Sequence, residues 1–149
     1  VSADSPIDEP GVVDVRILLQ NGALPTEEVI KLVLDALSAD KVRPLTELVR
    51  VSAPDTVPFN IDITYYIPNP SAASAANIER AVTAAVERYR VWQTEKMGRD
   101  INPSYLTRLL METGVKRVEV REPLFQKVEA KGVAVLQDKT VLNGGVEDE

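Results

Sequence analysis

The chain has 149 residues, 44% hydrophobic and 27% charged, which suits one globular domain burying about 70% of the surface its unfolded form exposes. Seventeen basic against twenty-three acidic residues give a net charge of -6, which repels a phosphate backbone at long range and argues against a nucleic-acid partner. With no histidine and no cysteine, Ser-His-Asp and Cys-His nucleophilic pairs, disulfides and the usual zinc ligand sets are excluded, and no apolar run approaches the roughly 18 residues of a membrane span.

The sequence opens at Val1 with no basic-then-apolar leader, the look of a piece of a longer protein. Residues 1 to 10 hold Asp4, Pro6, Asp8, Glu9 and Pro10 with one large apolar side chain, Ile7, and are expected to form a flexible arm or linker. Val13, Val15, Ile17 and Leu19 then alternate with Asp14, Arg16 and Leu18, the period of a strand over about 12 to 19. Asn21-Gly22 breaks it. Thr26 offers an N-cap oxygen, Glu27 and Glu28 suit the positive end of the helix dipole, and Ile30, Val33, Leu34 and Leu37 make one helical stripe. Pro44 closes that region, and Thr46 to Ser52 reads as a second strand. Ala53-Pro54-Asp55 reads as a turn, which predicts a hairpin with the next run.

That run is the clearest in the chain: Phe59, Ile61, Ile63, Tyr65 and Ile67 alternate with Asn60, Asp62, Thr64 and Tyr66. After Pro68-Asn69-Pro70, Ser71 or Ser74 caps a long helix whose inner face carries Ile78, Val82, Ala85, Tyr89 and Trp92 and which is expected to end at Gly98. Asn102 is a second N-cap with Pro103 at the first helical position, where its missing N–H has no consequence. Leu106, Leu109 and Leu110 line this short helix, and Gly114 takes the left-handed turn that ends it. Val118 and Val120 face inward on the following strand, Arg117, Glu119 and Arg121 face outward, and Pro123 stops the pairing.

The order predicts an α+β domain over residues 11 to 124, ferredoxin-like βαββαβ. Its features are an antiparallel four-stranded sheet, helices on one face and an extra short helix before the last strand. Residues 125 to 149 form a C-terminal extension, in which Val133-Ala134-Val135-Leu136 and Thr140-Val141-Leu142 supply one or two edge strands before an acidic tail.

Candidate chemistry on this frame is sparse. Asp14 and Asp62 become a carboxylate pair if their strands are neighbours, but Arg16, Arg117 and Arg121 on the same face make a cross-strand charge lattice the stronger expectation. Mixed charge with one aromatic, Tyr66, is no base-stacking platform. The acidic end lacks the spaced oxygens of a calcium loop, and Asn143-Gly144-Gly145 lacks the lysine and spacing of a phosphate loop. No catalytic, cofactor-binding or metal-ligating residue emerges. Trp92, one turn from Tyr89, suits the core or an interface anchor, and Arg99 and Arg117 join it as possible partner contacts.

Four motifs in fixed order carry a resemblance. Pro10-Gly11-Val12-Val13-Asp14-Val15, Val42-Arg43-Pro44-Leu45-Thr46, Gly98-Arg99-Asp100-Ile101, and Gly114-Val115-Lys116-Arg117-Val118 with Pro123 resemble the C-terminal part of the phage baseplate J-like proteins, over about residues 10 to 145. The resemblance implies a wedge component of a contractile-tail baseplate in a phage, prophage or tail-like particle. Such a protein is a non-enzymatic structural part, assembled in the bacterial host cytoplasm and resident in the virion baseplate. Implied partners are other copies of the chain and neighbouring wedge proteins, with no small-molecule substrate and no cofactor. Within these motifs Arg43 and Pro44 fix the exit from the first helix, Gly98 and Gly114 are helix exits, and Asn102, Pro103 and Pro123 punctuate the elements between. The competing reading is a ferredoxin-like regulatory domain that binds a small ligand at a subunit interface.

Overall fold

The computed structural model describes residues 1–5, 11–38 and 48–148. Arg43 and Pro44, with the motif around them, lie outside the described residues. The valine alternation that opens the chain builds β2 (Val12–Arg16), with Val15 and then Ile17 buried. It pairs antiparallel with β1 (Ser2–Asp4), so part of the expected arm is strand. On its other side β2 pairs parallel with β3 (Leu48–Ser52), from Val12 opposite Leu48 to Arg16 opposite Ser52. Parallel neighbours need a crossover, and α1 (Glu27–Ser38), packed on β3, lies within it. Thr26 Oγ1 accepts from the Val29 N–H at 3.4 Å and caps that helix.

The predicted hairpin does not form. Ala53 and a buried Pro54 lead the chain out of the first sheet, and β4 (Asp55–Pro68) becomes the centre of a second. Arg16 fixes the corner: its guanidinium donates to Asp14 at 3.1 Å, to Asp55 at 2.8 Å and to the Ala53 carbonyl at 3.1 Å. Strand β4 pairs antiparallel with β5 (Arg117–Glu122) and parallel, along nearly its whole length, with β6 (Gly132–Glu147). Among the described residues the strands thus form two three-stranded sheets, β1-β2-β3 and β5-β4-β6. The fold is α+β, but the single four-stranded ferredoxin-like sheet is corrected by this pairing. The place beside β4 that the prediction gave to the first strand belongs to β6, so the segment expected as an edge extension is integral to the sheet, with Val133 and Ala134 fully buried.

Phe59, Ile61, Ile63, Tyr65 and Ile67 face α2 (Ala75–Thr94) and α3 (Pro103–Met111) and anchor the main core, each apolar side chain of this size contributing about 1.5–3 kcal/mol when fully buried. Helix α2 supplies Ile78, Val82, Ala85, Val86 and Tyr89; α3 supplies Leu106, Leu109 and Leu110. Helix α1 packs against the other sheet, so the helices do not share one face. Ser74 stands at the N-cap of α2 without a side-chain bond, because a 3₁₀ segment (Asn69–Ser74) runs into the helix and its backbone supplies the contact, Ala75 N–H to Ala72 O. Helix α2 ends at Thr94, four residues before Gly98.

Candidate assembly surfaces

The turn after α2 is organised by a side chain the sequence reading passed over. Gln93 continues the buried stripe of Tyr89 and is fully buried itself. Its amide donates to the Arg99 carbonyl at 3.2 Å and the Asp100 carbonyl at 2.9 Å, while its oxygen accepts from the Asn102 N–H at 3.3 Å. A polar residue spaced four from Tyr89 on the inner face was the signal available. Tyr89 donates its hydroxyl to the Asn102 carbonyl at 3.1 Å, and burial pushes that hydroxyl's pKa up. Gly98 turns at φ +73°, and a Cβ there would lie 3.3 Å from Ala130 Cα. Asn102 Oδ1 accepts from Ser104 N–H at 3.0 Å, with Pro103 first in α3, and Gly114 (φ +97°) follows that helix. Pro123 is buried at the end of β5.

The three predicted contact residues fall into two places. Trp92 is half-buried, stacked on Tyr105 at 4.1 Å, with the Arg99 guanidinium 4.2 Å above its ring and bonded to its carbonyl. Glu95 holds Arg99 at 3.2 Å. The outer edges of this stack line an open hollow with Glu87, Arg88 and Val91. Arg117 lies on the helix-free face of the second sheet, where its guanidinium sits 3.7 Å over Tyr66 and pairs with Glu147 at 2.6 Å and Glu119 at 2.7 Å.

That face is a charge lattice. Arg121 bonds Asp62 at 2.7 Å and Thr64 at 2.8 Å, and Lys116 stands 3.8 Å from Glu147. Arg121 holds the Asp62 carboxyl below the ordinary carboxylate range, and Arg117 does the same for Glu147. Asp14 belongs to the other sheet and pairs with Arg16, so Asp14 and Asp62 form no carboxylate pair across neighbouring strands. Tyr66 crosses β6 at Gly144, where a Cβ would come within 2.4 Å of its ring, and the register slips there to admit Gly145 at φ +98°. Among the described residues no group of three or more acidic side chains gathers as a metal site would, and no helix is long and apolar enough to cross a membrane.

Exposed apolar surface is the remaining resource. Leu124 and Phe125, consecutive on the loop after β5, are 76% and 61% exposed beside an open cleft of about 380 Å³ lined by Pro58, Phe59, Ile101 and Pro123. The sequence signal for them was a pair of large apolar residues after a proline, outside any periodic run. The arrangement provides rigid, paired charges and apolar points for contact.

Comparison with known proteins matches the sequence of this chain in two pieces. Residues 2–53 match the family model for the baseplate J-like central domain, and residues 59–142 match that for the baseplate J-like protein C-terminal domain. The boundary falls where the chain leaves the first sheet for the second. The chain is also similar to baseplate protein J of Escherichia phage P2, at 32% identity over 126 residues, 83% of this chain and 40% of that protein. It therefore spans well under half the length of this curated relative.

Proposed function

Since the chain belongs to the baseplate J-like family, whose role is structural, we propose that it serves as a wedge component of a contractile-tail baseplate and works through protein–protein contacts. The observation that carries this reading is the ordered pair of family matches, with their boundary at the Ala53-Pro54 corner between the two sheets. In this role the second sheet and its helices form a rigid block, because charge lattice and core fix opposite faces of the same strands. The exposed edges of the Trp92, Tyr105 and Arg99 stack, and the Arg117 cluster, are contacts for neighbouring wedge proteins. The chain assembles in the bacterial host cytoplasm and resides in the tail baseplate. Cryo-microscopy and mass spectrometry of purified particles from the source test this directly: density for both sheets in the baseplate is expected, and particles lacking the protein would overturn the reading.

A further inference from the structure

We propose that the distal half of β6, residues 138–147, is a displaceable strap that opens from the border of β4 as a unit while the rest of the domain stays folded. The inference goes beyond the baseplate reading and rests on the geometry of β6 alone. The strand has two unlike halves. Gly132, Val133 and Ala134 are buried, whereas among residues 137–148 none is buried, Leu142 and Val146 are about half exposed, and only Val141 packs against the main core. A stretch held by exposed backbone bonds with few apolar contacts is the part of a fold that opens first.

Register breaks mark its ends. An extra residue, Gln137, stands between the pairs Phe59 with Leu136 and Asn60 with Asp138, and there the Asp138 N–H donates to the Asn60 side chain at 3.1 Å. A second slip follows Asn143, where Gly144 lies against the Tyr66 ring and Gly145 turns at φ +98° with open space around it. Bulges of this kind interrupt a ladder and concentrate bending at fixed points. Past the second slip a clasp reaches the strap from two elements. Arg117, at the start of β5, donates to Glu147 at 2.6 and 2.9 Å, and the neighbouring Lys116 stands 3.8 Å from Glu147 and bonds the Asp148 carbonyl. Asn69, from the 3₁₀ segment before α2, donates to the Asp148 carboxylate at 2.5 Å.

What lies beside the strap survives its departure. Ile63, Tyr65 and Ile67 of β4 are buried in the core they share with α2 and α3, and the opposite border of β4 is paired with β5 from Asp62 opposite Glu122 to Tyr66 opposite Arg117. Opening exchanges ladder bonds for bonds to water and gives up surface ion pairs, each of which is weak on its own. It bares the backbone groups of β4 from Asp62 to Pro68 and lifts Gly144 from Tyr66 and Glu147 from Arg117 at the same moment. The domain thus carries a strand-pairing border that it can withhold or present.

Native-state hydrogen exchange of the full chain, followed residue by residue by NMR, tests the strap. Those amides of residues 138–147 that bond β4 are expected to share one rate, about tenfold faster or more than the corresponding amides of Gly132–Leu136 and those of α2. Glu147→Gln loosens the clasp and speeds this block about three- to tenfold, and sodium chloride at about 1 M does the same to the native chain while adding little to the variant. Gly145→Ala meets no neighbour and acts through its φ alone, speeding the block about tenfold with the first half of β6 unmoved. The amides of α2 report in the same spectra whether a variant has stayed folded. Equal rates in the two halves of β6, a block indifferent to Glu147→Gln or to Gly145→Ala, or substitutions that speed α2 as much as the strap would overturn the proposal. These rates belong to the isolated chain, so they stand or fall apart from its presence in particles.

Discussion

Replacing Gln93 with leucine preserves side-chain volume and removes every polar contact the amide makes. The Arg99 and Asp100 carbonyls and the Asn102 N–H lose their partner in a fully buried site. Each orphaned buried group costs about 1–3 kcal/mol, and two of the three bonds, at 3.2 and 3.3 Å, belong at the lower end. Leucine recovers about 1 kcal/mol through its greater apolar transfer, leaving a net loss of about 2–4 kcal/mol. For a chain of this length that lowers the melting temperature by about 5–15 °C. Urea and thermal unfolding followed by circular dichroism measure it. Gln93→Ala opens a gap in which water can rebond the same three groups, so it is expected to cost no more than Gln93→Leu despite removing more atoms. A leucine variant within about 0.5 kcal/mol of the native chain would refute the claim that this amide holds the turn together.

Three further outcomes follow from the same geometry. Gly22→Ala places a Cβ 2.6 Å from the Thr94 backbone oxygen at φ +77°, whereas Gly144→Ala meets only the displaceable ring of Tyr66; unfolding titrations should show a loss of about 2–3 kcal/mol for the first and about 1 kcal/mol for the second, and the reverse order would count against these packing assignments. Asn102→Ala removes the cap on Ser104 and should cost about 1 kcal/mol in the same assay, with Asn102→Asp close to native. Asp62 and Glu147 have folded pKa values below their unfolded ones, so their stabilisation is present above the ordinary carboxylate range and lost as pH falls below about 4. With no histidine to titrate, the melting temperature should be level from about pH 5.5 to 7.5, and a step inside that window would contradict the assignment.

Elements were more legible in the sequence than their partnerships. The alternation from Phe59 to Ile67 and the Asn102-Pro103 cap are local properties, readable because side-chain direction and capping depend on a few neighbouring residues. Pairing is not local. Nothing in the period of Val13, Val15 and Ile17 distinguishes a strand beside β4 from one beside β3, and β6 looked like an extension because its second half, from Asp138 to Glu147, mixes charge and glycine with its apolar residues. Trp92 belonged to the inner stripe as expected, yet the aromatic and guanidinium neighbours that decide what it can touch come from α3 and the following turn. Gln93 was passed over because its partners are backbone groups, which a sequence does not display. Leu124 and Phe125 escaped notice because their importance lies in what fails to cover them.

The parallel pairing of β6 with β4 also sets an order of events during synthesis. Pairs such as Asp55 with Gly132 and Pro68 with Glu147 join residues made far apart in time, and the antiparallel partner β5 emerges first. Until the ribosome has released residue 147, β4 is a strand with one satisfied border and one bare border rich in β-branched residues. Long-range parallel pairing is slow to close, so the nascent chain passes through an interval in which another chain can take the place reserved for its own β6. In a cell making many copies at once, yield is thereby governed by how quickly β6 arrives, and slower translation of the codons for β6 should lower the soluble fraction before it alters the finished fold.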